Sequence, residues 1–469
     1  MGNARHTWPA LSMALWCVLL ATGCSPRSAD EAMRTEGTGP LTLFEGARLL
    51  TGDGATAIED GAFLVDGPRI TWVGRREEAE APAGAAHIDL TGKTVVPAFV
   101  DAHSHIGYMN DLALGPQNYT RENILDHMQR FAYFGVAASQ AMGSDFDDLP
   151  YAIRDETLAG QHPDAARFLT AGQGLASLAE ISASNMRHAA HVVTTEEGAR
   201  AAVRELASKN VTLVKTWVDS RGGSIEPLAP NLYRAIIDEA HALNMRVAAH
   251  ATGLEEAKGL LRAGLDVFAH MISDVDDELV TLFEAHPDTT VLLALGGLRR
   301  QIDAPWLDPP HPLVAETVSA AQISRLMTRL ASTAPEALER GRQSWDRIAS
   351  GIRRLRDAGV TIGVGTDGGG QTGDQFVGWT LHTELENMVA AGMTPAEVLV
   401  AATKNSAGIL GLDELGQIAP GKSADFVVLD ANPLDDITNT RRIDRVYLRG
   451  HEVDRASLRG RWSAGGTSN

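Results

Sequence analysis

Eight short apolar runs, separated by segments of helical pattern, constrain the fold of this chain more than any other feature of its 469 residues. Each run has the length of a strand, and one intervening segment, TTEEGARAAVRELASK, opens with a capping-box pattern from Thr194 to Glu197. Because strands that alternate with helices form parallel sheets, eight such units predict an α/β TIM barrel over residues 95–411. The runs are TVVPAFVDAHSH, GVAASQAM, ARFLTAG, VTLVKTWV, RVAAHA, DVFAHM, TVLLAL and TIGVGTD.

Both ends of the chain have a different, β-rich texture. Residues 41–94 contain short strand patterns such as LTLFEGARLL, separated by glycine and aspartate turns, and residues 412–460 repeat this texture in GKSADFVVLD. We therefore expect the two ends to form one small composite β-sandwich domain beside the barrel. The long connection over residues 296–359 is expected to be helical and to serve as a lid or as a contact in a homo-oligomer.

The first 40 residues predict export. A basic start, an apolar run that ends at Ala21 and small residues before Cys24 are typical of a signal peptide over residues 1–23. Ala-Thr-Gly followed by Cys resembles the lipobox of bacterial lipoproteins, in which Cys24 carries the lipid anchor that would be the chain's one membrane contact. Ordinary cleavage after Gly23 is the alternative and gives a periplasmic or secreted protein. Residues 24–40 are expected to be a tether.

Composition narrows the chemistry further. The formal net charge of −19 disfavours nucleic acid partners, because a phosphate backbone requires a basic surface. The chain has two cysteines, and Cys17 lies in the predicted signal peptide. The remaining Cys24 supplies neither an intramolecular disulfide nor a thiolate metal site. A metal would therefore be held by His, Asp, Glu or Lys side chains.

Six polar side chains fall at or near the ends of five predicted barrel strands, where TIM barrels carry their chemistry. His103 and His105 lie two residues apart, so they share one strand face and can bind one cation. Singly, each type has a structural explanation: a lysine can snorkel, a histidine can bond in the core, and an aspartate before glycines forms turns. Their joint position at one rim predicts a metal site. The six are His103, His105, Lys215, His250, His270 and Asp367.

The alternation of strand residues supports this prediction. On the eighth run, Gly363, Gly365 and Asp367 are expected to share the face toward the site. On the fourth run, Lys215 would place an ammonium inside an apolar barrel, which is costly for a bare cation. Carboxylation of this amine by CO2 would give a carbamate, an anion that can bridge two cations.

With these motifs the chain resembles the amidohydrolase superfamily over residues 41–454. The motifs are PAFVDAHSH, VK, AAHA, FAHM and GTDGG. They are most similar to the binuclear, metal-dependent branch that contains prolidase-like dipeptidases and carboxypeptidases, with imidazolonepropionases as relatives. The resemblance implies an inner metal ion on His103, His105 and Asp367, an outer one on His250 and His270, and carboxylated Lys215 as the bridge.

Two divalent ions, zinc above all, are the expected cofactors, because imidazole and carboxylate ligands suit zinc. Two such ions would share a hydroxide whose pKa they lower, and one would polarise the substrate carbonyl. Asp367 would take the proton of this hydroxide and deliver it to the leaving nitrogen. Asp101, on the strand face of His103, would either orient an imidazole or cap the strand.

Hydrolysis of an amide or peptide-like bond, in a dipeptide, an N-acyl amino acid or a similar small substrate, is the function that these residues favour. One alternative is a mononuclear hydrolase of cyclic, imidazolone-type amides, or a deaminase. Deaminases of the superfamily, however, place a glutamate where this chain has Gly253, and mononuclear members lack the bridging lysine. A second alternative is an exported lipoprotein that only binds a ligand, against which the complete set of six ligand residues argues.

Loop residues that follow the strands are expected to line the substrate pocket. An arginine there would clamp a substrate carboxylate, although exposed arginines more often form surface ion pairs. The loop KTWVDSRGG departs from the sequence usual after the bridging lysine of the dipeptidases, so their substrate preference does not transfer directly. The predicted pocket residues are Tyr108, His188, His191, Arg299 and Arg300.

Overall fold

A computed structural model describes residues 41–145, 147–182, 190–299, 302, 304–370 and 375–465. The predicted signal peptide and tether lie outside the described residues. Among the helices of the described part, none has both the length and the apolar composition needed to cross a bilayer.

The strands lie mostly in two places, a sheet made by the chain ends and a barrel between them. In chain order they are β1 (Thr42–Leu49), β2 (Ile58–Asp66), β3 (Arg69–Arg75), β4 (Ala86–Asp89), β5 (Thr94–Pro97), β6 (Phe99–Ser104), β7 (Met109–Asn110), β8 (Ala113–Leu114), β9 (Val136–Ala141), β10 (Arg167–Thr170), β11 (Leu175–Ala176), β12 (His191–Val192), β13 (Leu213–Trp217), β14 (Arg246–His250), β15 (Val267–Phe268), β16 (Thr290–Leu293), β17 (Ile362–Val364), β18 (Phe426–Leu429), β19 (Ile443–Leu448) and β20 (His451–Glu452).

The helices follow or connect the barrel strands. They are α1 (Arg121–Tyr133), α2 (Leu149–Leu158), α3 (Leu178–Ser182), α4 (Glu196–Ser208), α5 (Pro230–Ala242), α6 (Leu254–Arg262), α7 (Asp277–Ala285), α8 (Gly296–Arg299), α9 (Pro312–Thr317), α10 (Ala320–Ala331), α11 (Pro335–Asp357), α12 (Trp379–Ala390), α13 (Pro395–Val400), α14 (Ser406–Leu410) and α15 (Arg455–Gly465). Short 3-10 turns occupy Arg76–Glu78, Pro116–Asn118 and Ile437–Arg441, and a π-helical turn occupies Ala401–Asn405.

The two chain ends share one eight-stranded sheet, which confirms the predicted composite β domain. Its order is β20-β19-β18-β5-β1-β2-β3, with β4 also paired to β1. On one side Phe44 stacks on Phe63 with ring centroids 4.9 Å apart, and Phe426 meets both rings edge-on. The N-terminal and C-terminal strands thus contribute aromatic rings to the same core, so neither end can complete the sheet alone.

The barrel prediction is also confirmed, because each of the eight apolar runs contains a barrel strand: β6, β9, β10, β13, β14, β15, β16 and β17. Neighbouring strands pair in parallel. The strands form two groups, β10-β9-β6 and β13-β14-β15-β16-β17, which a bridge between Ser104 and Gly368 joins on one side. On the other side the short strand β11, which follows β10 in the chain, pairs with β13. Most of the residues in these strands are buried, as expected for parallel strands covered on both faces.

The first apolar run divides between the two domains. Residues Thr94–Pro97 form β5 and pair with β18 and β1 of the terminal sheet, whereas the barrel begins with β6 at Phe99. The Ala98 amide between them donates to the Asp425 carbonyl at 3.0 Å. The terminal sheet therefore takes Val95 and Val96, which the sequence analysis placed at the start of the barrel.

Two expectations about helices have different outcomes. The predicted helical character of residues 296–359 is confirmed by α8, α9, α10 and α11. The predicted cap of α4 is displaced by one residue, because Thr195 and not Thr194 accepts the helical amide, that of Gly198, at 3.1 Å. This shift puts a glycine at the third helical position, so no side chain closes a capping box.

Candidate metal centre

The C-terminal rim of the barrel brings the predicted metal ligands together. His103 lies in β6, Lys215 in β13, and His250 ends β14. His270 and Asp367 follow β15 and β17 by two and three residues, respectively. Parallel strands all end at the same rim, so residues more than 250 positions apart in the sequence become neighbours.

His103 is fixed by the backbone of the neighbouring strand end. Its Nδ1 lies 2.6 Å from the Ala269 carbonyl oxygen, which can only accept, so Nδ1 carries the proton. The lone pair therefore sits on Nε2, which is buried, makes no hydrogen bond within the described residues and lies 3.4 Å from Asp367 Oδ1. A buried nitrogen lone pair without a donor is what a metal ligand presents before the ion binds.

Asp367 is the acidic member of the cluster. Its Oδ1 lies 3.0 Å from His105 Nε2, and its Oδ2 accepts from Gln375 Nε2 at 3.2 Å. The backbone of Asp367 has φ +57°, a left-handed conformation that aspartate tolerates better than most residues. His105 is held from its other side, because Nδ1 contacts Ser144 Oγ at 2.9 Å.

The most compact set of potential ligands combines His103, His270 and Asp367. One ligand atom from each of the three lies within 4.8 Å of the other two, a separation that one ion can bridge. The His103 and His270 ring centroids are 4.6 Å apart. This trio takes members from both metal ions of the predicted binuclear site.

His250 continues the cluster from the opposite side of His270. Their ring centroids are 4.4 Å apart. His250 Nε2 lies 3.2 Å from Asp219 Oδ2, so the proton is on Nε2 and the Nδ1 lone pair remains for a ligand. Asp219, which the sequence analysis missed, also accepts from the Thr252 amide and hydroxyl. It therefore fixes the tautomer of a predicted ligand.

Lys215 is fully buried, and its side chain belongs to the same rim. A glycine at 143, with φ +82°, makes room for it, since an added Cβ would lie 2.7 Å from Lys215 Cγ. The Lys215 ammonium lies 5.5 Å from the Trp217 ring centroid, and its charge acts on His103, His250 and His270. The amine is therefore close enough to these three histidines for its charge to affect them.

Burial and charge set the protonation states that metal binding requires. Burial, together with the Lys215 charge, lowers the pKa of His250 to about 4 against the opposing effect of Asp219. Burial and neighbouring positive charges hold the pKa values of His103 and His270 well below their usual range. Burial alone would raise the pKa of Asp367, but His105 and the other histidines lower it far more. Neutral imidazoles and an ionised carboxylate are the ligand forms of these side chains.

Asp101 supports the site through the backbone and not through an imidazole. Its carboxylate accepts from the amides of His103 and Thr366 and, at 2.6 Å, from the Thr366 hydroxyl. Of the two predicted roles, the strand-capping one is therefore found. Burial raises the pKa of Asp101 to about 7, although these hydrogen bonds act in the opposite direction.

The expected alternation on the eighth strand is wrong. β17 ends at Val364, and an added Cβ at Gly363 would meet Ile409 of α14, whereas one at Gly365 would meet His103 at 2.6 Å. The two glycines therefore face different layers. The ladder is interrupted because both Thr366 and Asp367 donate their amides to the His103 carbonyl.

Three of the five predicted pocket residues lie in the described part of the chain, each with different neighbours. Tyr108 is buried and donates to the Ser144 carbonyl, so it supports the loop that holds His105. His191 lies in β12, 3.8 Å from Glu205, and Arg299 lies 5.0 Å from the Trp345 ring centroid. The contacts described for these three do not include a predicted metal ligand. His188 and Arg300 lie outside the described residues.

Comparison with known proteins gives one family. Its sequence profile, described as Amidohydrolase family, matches residues 94–453. An imidazolonepropionase from Streptomyces griseus subsp. griseus is 26% identical over 384 residues, which cover 80% of this chain and 86% of that protein.

Solved structures of similar proteins share the fold. A Bifidobacterium longum protein assigned as a prolidase has a TM-score of 0.70 at 29% identity, covering 92% of this chain and 99% of its own. A Xaa-Pro dipeptidase with methionine bound in its active site has a TM-score of 0.69 at 21% identity, covering 88% and 99%. At that identity the second likeness concerns the fold alone.

Proposed function

This chain belongs to the amidohydrolase family, as its motifs predicted, and from that membership we propose that it hydrolyses an amide or peptide-like bond in a small substrate. Dipeptides and N-acyl amino acids are the substrate class. The observation that carries the proposal is the cluster of His103, His270 and Asp367 at the barrel rim. These residues fit a divalent metal ion, because the buried Nε2 of His103 makes no hydrogen bond within the described part.

We propose a binuclear centre with zinc as the metal. His103, His105 and Asp367 would hold one ion and His250 and His270 the other, with Lys215 carboxylated as their bridge. Two facts support this set. The ring centroid of His270 lies 4.6 Å from that of His103 and 4.4 Å from that of His250. Lys215 is fully buried, and its charge acts on all three histidines. When bound, such ions lower the pKa of water and polarise an amide carbonyl.

Asp367 is the proposed proton carrier. Its carboxylate is ionised, since His105 and the other histidines hold its pKa low despite burial, and its side chain remains 29% exposed. It can therefore accept a proton from the attacking water and donate it to the leaving nitrogen. Gln375 orients the carboxylate through Oδ2.

A hydrolysis screen tests the proposal. Protein loaded with zinc in the presence of bicarbonate is given N-acyl amino acids, Xaa-Pro and other dipeptides, and cyclic amides, and its metal content is measured in parallel. We expect close to two ions per chain and cleavage of acyclic amides, because six ligands exceed the needs of one tetrahedral ion. Binding of one ion or none after reconstitution contradicts the binuclear centre.

Cyclic amides form the second candidate class, because an imidazolonepropionase is among the similar proteins. The same screen separates the two. Cleavage of an imidazolone-type ring without cleavage of any dipeptide or N-acyl amino acid would make the cyclic amide the substrate and remove the first candidate.

We also propose that the protein is exported and anchored through an acylated Cys24. In a bacterial host, Cys24→Ser should move the protein from the membrane fraction to a soluble or uncut form. An identical soluble distribution for both versions would instead indicate ordinary signal-peptide cleavage.

A further inference from the structure

The loop after β13 brings an arginine to the rim of the metal centre. The Arg221 amide donates to Asp219 Oδ1 at 2.7 Å, and the other oxygen of Asp219 contacts His250. Arg221 has φ +51°, so the loop reverses at this residue. Its backbone is therefore tied through one side chain, that of Asp219, to a proposed metal ligand.

The guanidinium of Arg221 is anchored along one edge. Its Nε and Nη2 contact the carboxylate of Glu180 at 3.3 and 2.5 Å, and the Glu180 side chain is only 2% exposed. Arg221 itself is 33% exposed, and its hydrogen bonds within the described residues are made by its backbone amide, Nε and Nη2, and none by Nη1. An arginine has two forked edges, so the Nη1–Nη2 edge remains for a second carboxylate.

The charge of Arg221 acts on the metal centre. Burial lowers the pKa of the Arg221 guanidinium, but Glu180, Asp219 and Asp367 together raise it above its usual value. Arg221 in turn contributes to the lowered pKa of His250. An orienting cation beside the reacting groups can hold an anionic substrate in one pose.

We propose that Arg221 binds the α-carboxylate of the amino acid that leaves when the amide bond is cleaved. This inference rests on the proposed function and names the residue that would recognise the free carboxylate of its substrates. It gives to Arg221 the role that the sequence predicted for Arg299 or Arg300. The Arg299 guanidinium lies over the Trp345 ring, and Arg300 lies outside the described residues. Glu180 acts as a positioning residue, because it holds the fork in place.

The test compares an N-acetyl amino acid that the wild type cleaves with the corresponding carboxamide. We expect Arg221→Met to lower kcat/KM for the carboxylate by roughly 30- to 100-fold, mainly through KM, and to change the carboxamide by less than about threefold. Arg221→Lys should recover only part of the loss, because an ammonium cannot form the bidentate pair. Calorimetry with the released amino acid should show the same weakening without turnover.

Two further variants guard against misfolding. Arg221→Met leaves Glu180 buried without its ion pair, so Glu180→Gln/Arg221→Met removes both charges and should show the same discrimination between the two substrates. Arg204→Met is the matched control, because Arg204 forms an exposed ion pair with Glu239 on the helix layer. It should leave both substrates unchanged.

The outcomes are distinct. An equal loss on carboxylate and carboxamide, or no loss on either, overturns the role of Arg221 while the hydrolase function stands. Selective loss in Arg299→Met with none in Arg221→Met returns the role to Arg299. A metal-loaded wild type that cleaves neither compound nor any dipeptide overturns the proposed function, and this inference with it.

Discussion

At the residue scale, hydrogen bonds within the protein determine which ring nitrogen of two proposed ligands carries the proton. The Ala269 carbonyl holds Nδ1 of His103, and Asp219 holds Nε2 of His250. Each contact leaves the opposite nitrogen as the one that can bind a metal. The ligand atoms are therefore chosen by hydrogen bonds that exist without the ion, which is how proteins orient metal-binding histidines.

Asp367 has two proposed duties, and substitution can separate them. Asp367→Asn keeps an oxygen that can coordinate but removes the basic carboxylate, so metal content should remain largely intact while amide hydrolysis falls by roughly 100-fold or more. Activated esters, whose leaving groups need less protonation, should lose less. His103→Asn should instead lower metal content and activity together.

Atomic emission and steady-state kinetics on the same samples distinguish these cases. A fully metallated Asp367→Asn variant that cleaves amides at the wild-type rate would show that Asp367 is not the proton carrier. His191 would then be the first residue to examine as the base.

The second prediction concerns Gly143, where a side chain would meet both a steric clash and an unfavourable backbone conformation. An alanine Cβ would meet Lys215 Cγ at 2.7 Å, in a backbone with φ +82°. Gly92 has the same φ of +82° but no atom within 4 Å of an added Cβ, so Gly92→Ala carries the strain without the clash. We expect Gly143→Ala to lower metal content and reduce activity at least about tenfold, and Gly92→Ala to cost only about 1 kcal/mol of stability. Equal activity in the two variants would contradict a positioning effect on Lys215.

At the element scale, the strands could be predicted and their ends could not. The eight apolar runs give the eight barrel strands because a strand buried on both faces needs a continuous apolar run. Where two elements could include the same residues, the apolar pattern does not show which of them does. Thr94–Pro97 joins the terminal sheet because β18 offers a partner. Thr366 and Asp367 leave the strand because both donate their amides to the His103 carbonyl.

The six proposed ligands could likewise be found from the sequence, whereas the side chains that orient them could not. The ligands lie toward the C-terminal ends of the apolar runs, and the pattern locates each run even where the strand itself ends a few residues earlier. Asp219 and Arg221 lie in the loop after β13, and their role depends on contacts with His250 and Glu180 from other elements. One signal was present, namely that KTWVDSRGG departs from the family pattern at this loop. Sequence alone could not say which of its residues would face the site.

Helix α1 supplies a prediction about pH. Its buried His127 accepts the Gly107 amide at Nδ1 and donates from Nε2 to the Met109 carbonyl, so it holds the loop after β6 in its neutral form. Burial lowers the pKa of His127 to about 4, below the value near 6.5 of an unfolded chain. The unfolded state therefore binds the proton first as the pH falls, and stability is lost between about pH 6.5 and 4, by up to about 3 kcal/mol.

Denaturant unfolding at pH 7 and pH 4.5 measures this loss. His127→Gln keeps a donor and an acceptor but does not titrate, so its stability should fall less between the two pH values than that of the wild type. His87→Gln, at a histidine that is 55% exposed in the terminal sheet, is the control. Equal losses in His127→Gln and the wild type would remove His127 as a source of acid sensitivity.

At the scale of the whole molecule, the two ends of the barrel have different tasks. The proposed ligands occupy the C-terminal rim, whereas the terminal sheet meets the barrel near the N-terminal end of β10. There Arg167, the first residue of that strand, contacts Asp425 at 2.8 Å, immediately before β18. Substitutions where the sheet meets the barrel should therefore change the stability of the protein without altering the metal centre, because these two regions lie at opposite ends of the barrel.

The Arg167–Asp425 pair allows this joint to be tested, because both side chains are at most 5% exposed. Burial would raise the pKa of Asp425, but the Arg167 charge lowers it, so the carboxylate is ionised and depends on its partner. Arg167→Met should cost about 3–5 kcal/mol of unfolding free energy, since it leaves a buried charge unpaired.

Arg167→Met/Asp425→Asn removes that charge while keeping an acceptor for the Arg449 amide, and should recover at least half of the loss. Arg48→Met, at an exposed pair with Glu59, should cost less than about 1 kcal/mol in the same urea titration. A single Arg167→Met variant as stable as Arg48→Met would mean that this ion pair does not hold the two domains together.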